Sequence, residues 1–118
     1  MITAIKDAIQ GKTPSLGVKR SGQWVTVRKH FIAKNNVCAV CGGKKKLEVH
    51  HVKPFHLYPE FELDPTNLIT LCEDLGNGIN CHLLIGHLGN YRNVNTAVRE
   101  DAAVWREKLS TPIPLVRE

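Results

Sequence analysis

CAVCGGKKKLEVHHVKP, residues 38–54, holds two cysteines separated by two residues and then a pair of adjacent histidines, His50 and His51. Its two halves decide the fold. Gly42 and Gly43, directly after Cys41, permit the tight turn of a metal knuckle in which backbone amides approach the sulfurs. LEVHHV then reads as a strand with Leu47, Val49 and His51 on one face and Glu48, His50 and Val52 on the other. Successive strand residues point to opposite faces, so the two histidines cannot perform the same task.

The knuckle needs a second pair of ligands, and Cys72 and Cys81 supply it. Thiolates in two groups of two favour zinc in a closed tetrahedral site, and in a reducing compartment they point to metal before disulfides. The eight residues between Cys72 and Cys81 must loop out, and Gly76 and Gly78 make that feasible. Zinc binding by such sites carries about 10–16 kcal/mol of apparent free energy. That is comparable to the stability of a whole small domain, and 118 residues make one domain of modest core.

Outward from this centre, Ser21 is an N-cap candidate for a helix from about Gly22 to Asn35. Its Trp24, Val27 and Phe31 share a core-facing side, with Arg28, Lys29 and Lys34 away from it. Ahead of it, Ile2, Ile5 and Ile9 start a short helix that Gly11 and Pro14 limit, and GKTPSLGVKRSG reads as an irregular arm. On the other side, a loop bearing Pro54, Pro59 and Pro65 leads to a short apolar strand, Leu68 to Leu71. A helix is expected from Cys81 to about Leu88, weakened by Gly86. A last helix, capped by Asn95 or Thr96 and reaching about Leu109, carries an apolar stripe of Val94, Val98, Ala102, Trp105 and Leu109. The expected organisation is an arm over 1–20 and one domain over 21–118, with its core at 38–88 and the last helix at about 95–109.

Charge is unevenly spread. Up to Tyr58 there are eleven basic residues against two acidic ones; after it, five against nine, for a net charge of +5. A basic half suits a polyanion such as nucleic acid, and Arg20, Arg28, Lys29, Lys44, Lys45 and Lys46 are the candidate contacts. No apolar run approaches the ~20 residues that span a bilayer, and the N-terminus lacks a signal-peptide pattern. A cytoplasmic protein, in a bacterium or a phage-infected host cell, is the expectation.

Three stretches together resemble a known family: LEVHHVKP, DPTNLITLC (residues 64–72) and CHLLIGH (residues 81–87). They are similar to the HNH nucleases, and more distantly to small phage-encoded members. Histidine pair, asparagine, cysteines and histidine fall in the family's order over about Cys38 to His87. The resemblance implies an α+β protein with a ββα-metal core, here with a four-cysteine zinc site and flanking helices. It implies that His50 binds a catalytic divalent cation such as Mg²⁺, Mn²⁺ or Ni²⁺ and that His51 is the general base. His82, set by its neighbour Cys81, becomes a second ligand of that cation. Asn67 corresponds to the central asparagine of the catalytic set His51, Asn67 and His82, with bracing of the histidine strand as its favoured role. His87 stays open between metal ligand, substrate contact and structural hydrogen bonding, because i,i+5 rotates it off the face of His82 in an α-helix. His56, on the loop, reads as an ordinary loop histidine with phosphate contact as its alternative, and His30 as a surface residue.

The expected function is metal-dependent hydrolysis of DNA phosphodiester bonds by nicking or double-strand cutting, with DNA as partner and a homodimer or a larger phage or restriction assembly in view. The alternative is a non-catalytic zinc-ribbon-like module that binds nucleic acid. It explains the cysteines and the basic half but leaves His50, His51 and His82 without a purpose.

Overall fold

The computed structural model describes residues 19–73 and 80–110. Most of the expected arm, with Ile2, Ile5 and Ile9, lies outside the described residues, as do Gly76 and Gly78. Within them, the elements are α1 (Trp24–Lys34), β1 (Leu47–His51), β2 (Leu68–Cys72), a five-residue π-helix (His82–Gly86) and α2 (Val98–Ser110). No helix among the described residues is long and apolar enough to cross a membrane.

β1 and β2 form an antiparallel pair in which Leu47 opposes Cys72, His50 opposes Ile69 and His51 opposes Leu68. Every residue of β2 is buried. A two-stranded sheet is marginal on its own in water and needs other elements packed on it. Here the support is small: the core cluster consists of Cys38, Val40, Ile69, Leu71, Cys72, Cys81, Val98 and Ala102. Three of its eight members are cysteines.

The strands are joined by residues 52–67, which contain two short 3₁₀ turns at Pro59–Phe61 and Pro65–Asn67. Proline at the first position of each turn has the φ that the turn requires. Leu57, fully buried, pins this connection to the body of the domain.

Several expectations shift in detail. α1 begins at Trp24, and Ser21 stands ahead of it: its Oγ accepts from the Gln23 amide in a local turn instead of capping the helix. Arg28 does not point away from the domain, because its guanidinium donates to Glu48 at 3.1 Å. α2 starts at Val98, two to three residues later than expected, and the Asn95 side chain accepts from the Ala97 amide ahead of it. Its apolar stripe is buried only at the start. Val98 and Ala102 join the core, whereas Trp105 and Leu109 are about half exposed. The sheet is too small to cover a 13-residue helix along its whole length.

That asymmetry is measurable by denaturant unfolding. Val98→Ala removes buried methyl groups and is expected to cost about 2 kcal/mol, whereas Leu109→Ala should stay within about 0.5 kcal/mol. Equal losses at both positions would show that the whole stripe is covered.

Candidate metal centres and active site

The knuckle forms as its glycines allow. Gly42 adopts a φ of 74°, and its amide donates to the Cys38 carbonyl at 2.9 Å. The amides of Val40 and Gly43 donate to the sulfurs of Cys38 and Cys41, each at 3.4 Å. Cys72 ends β2 and Cys81 immediately precedes the π-helix, and the four sulfurs lie within 4.8 Å of one another. Cys41 Sγ and Cys72 Sγ are 3.6 Å apart. Metal–sulfur bonds of ~2.3 Å at a tetrahedral angle would separate sulfurs by about 3.8 Å, so the cluster fits such an ion. Burial, reinforced by neighbouring thiols, pushes Cys81 far above the ordinary thiol range, and burial also raises Cys41. A cation held among the sulfurs would supply the charge that compensates these two thiolates.

His50, His82 and His87 form a second cluster. His50 Nδ1 lies 3.1 Å from His82 Nε2, which lies 3.2 Å from His87 Nε2. The outer nitrogens define the tautomers. His82 Nδ1 faces a carboxylate oxygen of Glu73 at 3.2 Å, and His87 Nδ1 faces the Asn93 carbonyl at 3.0 Å. Both partners only accept, so each Nδ1 carries the proton and each Nε2 of the neutral ring presents a lone pair to the centre. Lone pairs converging at such distances repel unless a cation lies between them. Metal–nitrogen bonds of ~2.0–2.1 Å at 90–110° separate nitrogens by about 3.0–3.4 Å, which matches both contacts. Burial, followed by the charges of His82 and His87, pushes His50 down to about 3, and burial also lowers His87. Both rings are therefore neutral at neutral pH and available as ligands.

The membership of His87 is explained by the π-helix. Five residues of α-helix turn about 500°, leaving i+5 about 140° away from i. The wider π-helical turn, a feature frequent at functional sites, brings His87 back beside His82. Gly86 contributes space as well: a Cβ there would lie 3.0 Å from Leu71 and 3.4 Å from His50.

His51, on the opposite face of β1, is held differently. Its Nε2 lies 2.9 Å from the Glu62 carbonyl, which only accepts, so Nε2 carries the proton and Nδ1 keeps the lone pair. The ring stacks on Trp24 with centroids 4.5 Å apart. Burial lowers its pKa, opposed by the Glu62 hydrogen bond, with the Arg20 charge adding to the lowering. Both histidine sets open onto one cleft of about 410 Å³, whose wall also includes Arg20, His56 and Arg92.

Asn67 is buried and reaches neither histidine set. Its Oδ1 accepts from the Lys53 amide at 2.8 Å, and its Nδ2 donates to the carbonyls of Lys53 and Phe61. The amide thus closes the 52–67 connection just beyond His51.

Residues 38–86 match the family model HNH endonuclease. Over this segment the chain is similar to HNH endonucleases. No match was found among curated proteins or among solved structures. The matched segment spans both clusters except for His87, which stands one residue beyond its end. Among the basic candidates, Lys29, Lys44, Lys45 and Lys46 are exposed. Arg20 pairs with Glu62 at 3.5 Å and lies over the Phe55 ring at 4.5 Å. His30 is exposed, as expected.

The sequence reading did not single out Glu62, Glu73 or Asn93, nor the stacking of Trp24 on His51. Two of these act through backbone carbonyls, which no motif encodes. Glu73 alone left a signal, as an acidic residue placed directly after a cysteine ligand candidate.

Removing the Asn67 amide strands two carbonyls and one amide. Asn67→Ala is expected to cost about 2–3 kcal/mol of stability, read by urea unfolding, with metal content at the cysteines unchanged. Parental stability in that variant would rule out a bracing role.

Proposed function

We propose that this protein is a divalent-metal-dependent endonuclease that hydrolyses DNA phosphodiester bonds, with zinc at Cys38, Cys41, Cys72 and Cys81 as a structural ion. The observation that carries this reading is the division of labour within one dipeptide. His50 turns into the His82–His87 cluster, and His51 turns to Trp24 and the Glu62 carbonyl.

His51 is assigned the base. With its proton held on Nε2 by Glu62, its Nδ1 is the atom that takes a proton from water. Burial favours the neutral ring, which is the competent form. General-base assistance of this kind contributes typically ~10²–10⁴-fold. Attack of the resulting hydroxide on phosphorus breaks the bond to the 3′ oxygen, which leaves and gains a proton from solvent. The products are a 3′-hydroxyl and a 5′-phosphate.

His50, His82 and His87 are assigned as protein ligands of a divalent cation. When bound, that cation supplies Lewis-acid stabilisation of the charge developing on the phosphate and the departing oxygen. Lys29, Lys44, Lys45, Lys46 and Arg20 are the proposed phosphate contacts, which position DNA without reading its sequence. Arg28 is the weakest of the basic candidates, since Glu48 already engages it.

Supercoiled plasmid incubated with the protein and Mg²⁺ or Mn²⁺ is expected to be nicked or linearised, and EDTA should stop the reaction. His51→Ala should slow cleavage by at least about 10²-fold while zinc content stays at the parental value and unfolding remains cooperative. Cutting at the parental rate would overturn the base assignment. For the structural ion, metal analysis of Cys38→Ser is expected to show loss of tightly bound zinc together with loss of cooperative unfolding. A variant that retains both would remove zinc from the four-cysteine site.

A further inference from the structure

The proposed site uses three histidines as ligands and leaves one acidic side chain beside them without a task. Glu73 directs Oε1 to His82 Nδ1 at 3.2 Å. Its other oxygen accepts from the Tyr91 hydroxyl at 3.4 Å, and that hydroxyl accepts from the Asn80 amide at 3.3 Å. The Tyr91 ring covers both ligand candidates, with centroids 5.7 Å from His82 and 5.2 Å from His87. The Glu73 backbone is fixed as well, since its amide donates to the Lys46 carbonyl at 2.8 Å.

We infer that Glu73 is a positioning residue for the histidine centre: its carboxylate holds His82 with the proton on Nδ1 and the lone pair on Nε2, aimed at a divalent cation. This rests on the metal-site reading above and adds to it the group that orients one ligand. The chain is arranged for the contact. Glu73 follows Cys72 and His82 follows Cys81, so two cysteines of one cluster each carry, one residue on, a member of this pair. Closing the four-sulfur cluster brings Glu73 and His82 together. A carboxylate also differs from the neutral carbonyl that orients His87, because it brings a negative charge to the side of the ring facing away from the cation site. Loss of such partners typically weakens metal affinity ~10–100-fold.

The test uses the full chain with zinc bound at the cysteines. Mn²⁺ is the probe, because it competes poorly for thiolates. Glu73→Ala is expected to weaken Mn²⁺ binding by ~10–100-fold in calorimetry. In ¹⁵N NMR of the imidazole nitrogens before Mn²⁺ is added, His82 should lose its preference for the Nδ1–H form. Glu73→Gln retains an acceptor for His82 without the charge. It should keep the tautomer while weakening Mn²⁺ binding several-fold, at parental melting temperature and zinc content. His82→Ala serves as the reference and should lose Mn²⁺ binding. If His82→Ala binds Mn²⁺ as the parent does, the histidine site itself is wrong and the role of Glu73 falls with it. If His82→Ala loses binding but Glu73→Ala binds like the parent, the metal site stands and the inference about Glu73 is overturned. Should Glu73→Ala fail to fold, Glu73→Gln decides alone: parental Mn²⁺ affinity in that variant overturns the inference.

Discussion

Four sulfurs from three separate stretches of chain converge where a larger domain would place more hydrocarbon. Cys38, Cys72 and Cys81 are almost completely buried, and they form part of the same cluster as Ile69, Leu71 and Val98. The apolar cluster among the described residues is small against the entropy of ordering the chain. Burial among neighbouring thiols also raises the pKa of Cys41 and Cys81, which disfavours their thiolates in the absence of a compensating charge. A metal ion held by the four sulfurs would answer both demands, because it would join the knuckle, the end of β2 and the start of the π-helix at one point. The remainder of the domain is placed relative to that point.

The histidine centre depends on it most directly. Cys72 and Cys81 are each followed by a residue that faces the second cluster, so tying the two sulfurs together sets Glu73 against His82. From the opposite side, the antiparallel register sets His50 beside Ile69. Each ring is then turned by its outer nitrogen: the Glu73 carboxylate holds His82, and the Asn93 carbonyl holds His87. A carbonyl does the same for His51, but on the other face of β1, where it leaves Nδ1 as the basic atom. Hydrogen-bond acceptors outside the site thus determine which nitrogen of His51, His82 and His87 is available inside it.

How far this was legible in the sequence varies with the kind of interaction. The strand alternation of LEVHHV separates the two histidines without any knowledge of their partners, since strand geometry alone dictates it. The cysteine spacing and the two glycines likewise specify a knuckle, because the sulfur–amide contacts are local. The reach of α2 to about Leu109 is legible, but how much of its stripe is covered is not, for the opposite reason. A helical stripe shows which side is apolar but not how much sheet there is to cover it, and Trp105 and Leu109 extend past the end of that cover.

His87 marks the boundary between these cases. Counted on a regular α-helix, it falls about 140° from His82, and the spacing leaves its role open. The backbone brings it beside His82 by widening into a π-helix over the five residues His82–Gly86. Gly86, which weakens an α-helix, is buried at the point where a side chain would press on Leu71 and His50. The residue that made the helix look poor is therefore the one that lets the turn close on the strand. Helix propensity and site geometry conflict here, and the π-turn is how the chain satisfies the geometry: it gives up a regular helix so that an i,i+5 pair can share one centre.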